Sequence, residues 1–368
     1  MKTFGERMAG IGVACVLAAC GVASYGQQSF APNSGSVSVV ASTVPANGDV
    51  NPYGLVRVAR SSGALVRGSL LVSNFNDSDN LQGTGTTIVQ ISPDGSMSQF
   101  AQIDANNLPG SCPGGVGLTT ALAVLRSGWV IVGSLPTTDG TSATAKAGCL
   151  LVLDSNGNVV EIFSGSLING PWDMTALDGG DTANLFVSNV LNGTVAAGGN
   201  VVPGGTVTRL TLTGLRSGTP VLESITVIGS GFSERTDPAA LVIGPTGVGL
   251  SPKADTLYVA DSLNNRIAAI PDPVLRETSA GVGATVTQGG SLNDPLGLTL
   301  LPGGNILTVN GNDGFLVEST PGGNQISKVL LDRNGNPPGA GALFGLVFAG
   351  GEGLYFVDDA TNTLNLFH

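Results

Sequence analysis

A chain of 368 residues whose one histidine, His368, stands at its last position has few routes to acid–base chemistry near neutral pH. Serine triads and most catalytic metal centres draw on histidine as base or ligand, so those mechanisms lack their central group. No Gly-x-Ser-x-Gly elbow and no phosphate-cradling glycine loop replaces it. Oxygen chemistry remains. Asn74, Ser134, Asn189, Asp261, Asn310 and Asp358 each end a similar short apolar segment. Such oxygens, Asn189 and Asp261 foremost, suit a hard divalent cation such as calcium at the mouth of a channel. The same residue types at a strand end also bond the following backbone and build turns, which explains their recurrence without a ligand. Tyr53, Trp172 and Asp173 depart from the small residues found at matching positions elsewhere. Aromatic groups there suit stacking on a sugar or lipid-derived ligand, or packing in a core.

The elements that must position these residues follow from a repeat. Six five-residue apolar segments, 70–74, 130–134, 185–189, 257–261, 306–310 and 354–358, end at intervals of 60, 55, 72, 49 and 48 residues. Each follows a turn and a further apolar segment. The turns are Pro52-Tyr53-Gly54, Pro113-Gly114-Gly115, Pro171-Trp172-Asp173, Pro245-Thr246-Gly247, Pro295-Leu296-Gly297 and Leu343-Phe344-Gly345. A third strand comes after each copy and a fourth usually follows, as at 159–163 and 325–331. Four antiparallel strands recurring six times at this period predict an all-β, six-bladed β-propeller over residues 36–368. The last repeat ends after its third strand. The lone segment 36–44 has no repeat of its own, and is expected to close the last blade as its outer edge. The 56 glycines and 20 prolines fit a fold of many tight turns.

Composition narrows the partners. Charged residues make up 11% of the chain against about 25% in an average domain, and net charge is −11 with pI ≈ 4.4. That surface does not neutralise phosphates, so nucleic acid is excluded as a partner. A protein or small-molecule ligand is expected, bound by a monomer. The loops 75–85, 135–148 and 190–204 are long, polar and on one rim of the predicted ring. Insertions confined to one face often mark a binding face, though surface insertions also cost little.

The N-terminus carries Lys2 and Arg7 before an apolar run over 8–19. This is the pattern of a secretory signal peptide, too short to span a bilayer. It ends Leu17-Ala18-Ala19-Cys20-Gly21, which resembles the bacterial lipobox and implies lipidation at Cys20, with 1–19 removed and 20–35 as a flexible tether. Ordinary cleavage after Ala23 or Gly26 is the competing reading. Either puts the protein outside the cytoplasm, lipid-anchored at the cell envelope or secreted, with the anchor its sole membrane contact. Export permits disulfides, and the two cysteines beyond the leader, Cys112 and Cys149, are expected to pair.

The copy Leu257-Tyr258-Val259-Ala260-Asp261-Ser262-Leu263-Asn264-Asn265-Arg266-Ile267 resembles the NHL repeat. The resemblance implies the propeller fold and leaves activity open, since related propellers include scaffolds, lactonases and lyases. The histidine-dependent members, such as streptogramin-type lyases and paraoxonase-like lactonases, lack their key residue here. Gluconolactonase-like propellers use a divalent cation held by Glu and Asn/Asp. Here Asn51-Pro52-Tyr53-Gly54 stands where their opening acid is expected. The resulting expectation is an exported, lipid-anchored binding or scaffolding module, with a metal-dependent lactonase as the alternative.

Overall fold

The computed structural model describes residues 1, 29, 30 and 35–368. The expected leader and the lipidation at Cys20 fall outside the described residues. β1 (Val37–Ser42) comes first. Blade one is β2 (Val50–Arg57), β3 (Leu70–Asn76), β4 (Thr87–Ile91) and β5 (Met97–Gln102). Blade two is β6 (Leu118–Val124), β7 (Val130–Ser134), β8 (Cys149–Leu153) and β9 (Val159–Phe163). Blade three has five strands, β10 (Pro171–Asp178), β11 (Ala183–Asn189), β12 (Val202–Thr213), β13 (Val221–Asp237) and β14 (Leu241–Ile243). Blade four is β15 (Pro245–Leu250), β16 (Thr256–Asp261), β17 (Arg266–Pro271) and β18 (Ala284–Gln288). Blade five is β19 (Pro295–Leu300), β20 (Ile306–Asn310), β21 (Phe315–Ser319) and β22 (Gln325–Leu330). Blade six is β23 (Leu343–Phe348), β24 (Leu354–Asp358) and β25 (Thr363–Phe367), completed by β1.

The predicted six-bladed ring and its closure by the N-terminal strand are therefore present. β1 runs antiparallel to β25, pairing Val37 with Phe367 and Ser42 with Thr363. The pairing covers what would be a free sheet edge.

Alternation of side chains along each strand sends apolar residues to both faces of every blade, because each blade is packed between two others. The core is consequently a series of layers between blades. Leu71, Ile88, Leu118, Val132 and Leu151 pack between blades one and two, and Phe186, Phe232, Val248, Leu257 and Val259 between blades three and four. Each such fully buried side chain contributes roughly 1.5–3 kcal/mol.

All six inner strands break register at the same place. The shift lies between Pro52 and Gly54, Leu118 and Leu122, Pro171 and Met174, Pro245 and Val248, Pro295 and Leu298, and Leu343 and Leu346. Such bulges bend a strand and re-aim its side chains. In every blade but the second they bring the second residue of the turn triplet toward the ring axis; in blade two the bulge falls within Leu118–Leu122, past the expected turn Pro113-Gly114-Gly115, and Thr120 lines the channel there. In blades five and six the third residue is glycine for lack of room, as a Cβ on Gly297 or Gly345 would collide with the carbonyl of Phe344 or Tyr53 in the next blade.

Ser29 and Phe30 belong to the stretch expected to be a tether, yet both dock. Ser29 donates to Glu318 Oε2 at 2.6 Å, and Phe30 meets Phe348 edge-on with ring centres 5.0 Å apart. Phe348 ends β23 away from the Pro-x-Gly rim, so the chain enters from the opposite face.

Candidate functional site

The bulged inner strands of blades one, three and six deliver three aromatic rings to the axis. Tyr53 stacks on Phe344 at 3.8 Å between ring centres and on Phe75 at 4.5 Å, and Trp172 meets Tyr53 edge-on at 5.9 Å. Tyr53 and Trp172 are each only 2% exposed. Together with Phe75 the three rings plug the ring axis near the rim. The plug divides the axial space in two, for Tyr53, Trp172 and Phe344 line a cavity on the rim side, whereas the residues that follow them, Leu55, Asp173 and Gly345, line the channel below.

The rim cavity encloses about 500 Å³. Its floor is the plug with Leu296, and part of its wall is the β13–β14 hairpin. That hairpin reaches across to blade one, where Gln82 donates its amide to the carbonyl of Ala239 at 2.9 Å. Leu241 and Val242 on it are buried against the aromatic cluster. Asn51 and Asp294 occupy equivalent positions, each immediately before the proline of its inner strand. Both adopt left-handed backbone, with φ of 63° and 56°, a conformation Asn and Asp tolerate better than most residues. Both line the cavity.

Three carboxylates and one guanidinium border the cavity. Arg235 pairs with Asp237 at 2.7 Å. Burial acts against the Asp237 charge, but the N–H groups of Ala239 and Ala240 and the Arg235 guanidinium outweigh it and hold its pKa low. Burial pushes Asp294 up to about 6, aided by the Asp237 charge and opposed by Arg235. Asp359 is pushed up to about 8 by burial and by the neighbouring charges of Asp358 and Asp332. The Tyr53 hydroxyl is raised well above its usual value by burial and then by Asp359, with Asn51 opposing. The buried Asn51 amide oxygen accepts no hydrogen bond.

The channel on the other side of the plug holds about 360 Å³ and is bordered mostly by apolar side chains and backbone. Asp173 is its one titratable residue. It borders the void yet is enclosed by protein, and burial lifts it to about 7 against hydrogen bonds from the N–H of Val248 and Met174 and from Thr120. The single Thr120 hydroxyl proton is shared between Asp173 and the Trp172 carbonyl.

The structure thus brings Tyr53 and Trp172 together at the axis and sets Asp173 just beneath them. Asn189 and Asp261 line neither space. Asn189 donates to Thr208 Oγ1 at 3.2 Å inside its own blade, and the Asp261 carboxylate accepts from Arg266 at 2.6 and 2.9 Å and from Asn264 at 2.9 Å. Asn74, Asn310 and Asp358 likewise bond within their blades and turns. The Asp261 carboxylate is thus taken up within its own hairpin, whereas the buried amide oxygens of Asn74 and Asn189 accept no hydrogen bond. Among the described residues no group of three or more His, Cys, Asp or Glu side chains is arranged to hold a metal ion. Cys112 and Cys149 are joined in a disulfide with Cα atoms 5.3 Å apart, pinning the turn before β6 to β8. His368 sits at the end of the closing pair, where its backbone exchanges hydrogen bonds with Ser36.

No protein-family model and no curated protein sequence matches the chain. Solved structures do match it in shape. A gluconolactonase from Xanthomonas campestris is 12% identical over 90% of this chain and 89% of that one, with a TM-score of 0.54. The calcium-binding protein regucalcin from Agrobacterium tumefaciens is 13% identical over 88% and 92%, with a TM-score of 0.53. A catalytically inactive histidine-to-alanine variant of virginiamycin B lyase from Staphylococcus aureus, with quinupristin, is 14% identical over 90% and 84%, with a TM-score of 0.50. At these identities the likeness is one of fold.

Asp237, Asp294 and Asp359, with Arg235, are site residues that the repeat pattern did not single out. One signal was available. The 72-residue interval between Asn189 and Asp261 exceeds every other, and the surplus is the extended β12–β13 ladder with β14. Asp294 precedes Pro295 as Asn51 precedes Pro52, so the alignment of turns also contained it.

Proposed function

We propose that the protein is an exported binding module whose rim cavity receives a small ligand. The observation that carries this reading is a cavity of about 500 Å³ with an aromatic floor and a few polar groups converging on it, the usual make-up of a small-molecule site. The disulfide supports an oxidising compartment. Among the described residues no helix is long and apolar enough to cross a membrane. In this proposal Cys20 carries a lipid and tethers the protein to the cell envelope. Entry of the chain on the face away from the cavity supports that arrangement, because the cavity then points away from the anchor. The NHL-like stretch 257–267 belongs to the same reading, as the blade carrying Ser262 and Asn265 to the cavity wall.

A ligand-observed NMR screen of fragments against the full chain and a Leu296→Trp variant tests the site. Hits that vanish when tryptophan fills the floor support it. Hits indifferent to the filling, or none at all, would end it. Mass spectrometry of the mature protein from its membrane fraction tests the anchor, with a diacylglyceryl Cys20 expected.

The second reading is a divalent-metal-dependent lactonase, favoured by fold likeness to a structure described as a gluconolactonase. The donor set described above does not support it. Turnover of gluconolactone that is lost on chelation and restored by calcium would establish it over the binding reading.

A further inference from the structure

The cavity's charge is unbalanced. Arg235 is the one cation on its wall, and that guanidinium is already bonded to Asp237 at 2.7 Å and to the Thr236 carbonyl at 3.2 Å. Asp294 and Asp359 have no ion-pair partner among the described residues. Asn51 adds a buried amide oxygen that lacks a donor. The Asp359 carboxylate accepts from the backbone N–H of Ala360, and all three groups are acceptors with room for a further N–H, whereas none is a donor for an anion. Below them lie Tyr53, Trp172 and Phe344, whose ring faces are electron-rich.

The distribution of charge over the molecule points the same way. Loops on the cavity side carry Asp77, Asp79, Asp104, Asp139, Asp313 and Asp332 against Lys146 and Arg333, whereas loops at the other end of the blades mix Arg60, Arg67, Arg126, Arg216, Lys253 and Arg276 with about as many carboxylates, among them Asp94, Asp154, Asp181, Asp255, Asp272 and Glu352. A cleft lined by one sign of charge between low-dielectric walls focuses the field and raises the local concentration of the opposite ion.

We propose that the rim cavity selects a small organic cation, an ammonium or guanidinium group on a flat apolar body, with the cationic head on the wall that carries Asp294 and Asp359 and the body on the aromatic floor. The proposal rests on the binding reading above and names the ligand class for the same cavity.

Trp172 is one of two tryptophans, so its emission reports the floor once Trp129 is replaced. Trp129 bonds the Leu215 carbonyl at 3.0 Å and does not line the cavity. The full chain carrying Trp129→Phe is titrated at about pH 9, where Asp294 is ionised and Asp359 mostly so, with three probes of similar shape. They are phenethylammonium, neutral 3-phenyl-1-propanol and anionic 3-phenylpropionate. Phenethylammonium should change Trp172 emission saturably and bind about tenfold tighter than the alcohol, with no response to the carboxylate. Asp294→Asn and Asp359→Asn, which keep size and fold, should each weaken the ammonium by about fivefold and leave the alcohol unchanged. Asp255→Asn, in a turn at the far end of the blades, should alter nothing, and circular dichroism checks that every variant is folded. Equal binding of alcohol and ammonium, or indifference to both Asn variants, overturns the cation assignment while the cavity remains a binding site. Absence of binding by all three probes overturns both.

Discussion

The backbone N–H of Val248, on the inner strand of blade four, donates to a carboxylate oxygen of Asp173, on the inner strand of blade three, at 2.8 Å. At the matching position blades one, four, five and six carry Gly54, Gly247, Gly297 and Gly345. Blade three alone uses a charged side chain for the junction with its neighbour. Burial raises Asp173 to about 7, so folding takes up a proton between about pH 4 and 7. The sign follows. The contribution of this group to stability is fully present below the unfolded carboxylate range and is lost as pH rises through 7. Asp173→Asn keeps an acceptor for Val248 and removes the titration. Denaturant unfolding at pH 5 and pH 8.5 should show wild type losing stability relative to the variant at the higher pH, on the order of a few kcal/mol. A constant difference between the two proteins would refute this.

The aromatic plug makes a second prediction. Phe344→Ala removes the ring that stacks on Tyr53 and borders both axial spaces. It should cost about 3–5 kcal/mol by denaturant unfolding, because the surrounding strands cannot collapse into the gap. Phe344→Leu keeps most of the volume and should cost less than half as much. Equal losses would mean that the plug does not support the ring.

Much of this was legible beforehand, and the boundary is instructive. The strand repeat, the Pro-x-Gly turns and the closing N-terminal strand are local patterns, each set by side-chain alternation and turn chemistry within a few residues. Tyr53 and Trp172 stood out for the same reason, as large residues where the repeat calls for small ones. Their stacking partners did not. Tyr53 meets Phe344 across the first and last blades, a contact that exists only after the ring has closed. Asp294 and Asp359 belong to different blades and come to border one cavity by ring geometry alone. Asp261 was legible as a strand-end acid, but Arg266, five residues on, satisfies it within the same hairpin.

That pair supplies a third prediction. Asp261 is fully buried and Arg266 nearly so, with 2.6 Å between them. Arg266→Met strands a buried carboxylate and should cost about 3–5 kcal/mol. Adding Asp261→Leu removes the stranded charge, and the double variant should recover at least half of that loss. A double-mutant cycle measured by chemical denaturation decides the matter, and strict additivity would show that the two side chains are not coupled.

The disulfide bears on a fourth. Cys112 and Cys149 are separated by 37 residues and enclose the first two strands of blade two with its long rim loop. Replacing both by alanine should lower stability by roughly 3–4 kcal/mol if the bridge acts by restricting the unfolded chain. Reduction of the wild type should lower the denaturation midpoint to the same degree, and a midpoint unchanged by reductant would count against that role.

Ser36 and His368 exchange backbone hydrogen bonds although they stand 332 positions apart in the chain. A ring closed by β1 on β25 cannot be completed until β25 has been made, or, for an exported chain, has emerged on the far side of the membrane. Until then blade six has no β25 for β1 to cover, and the β1 segment waits unpaired. Closure is therefore a meeting of two segments far apart in the chain, and a product cut short before blade six leaves an open arc whose unpaired edges invite aggregation.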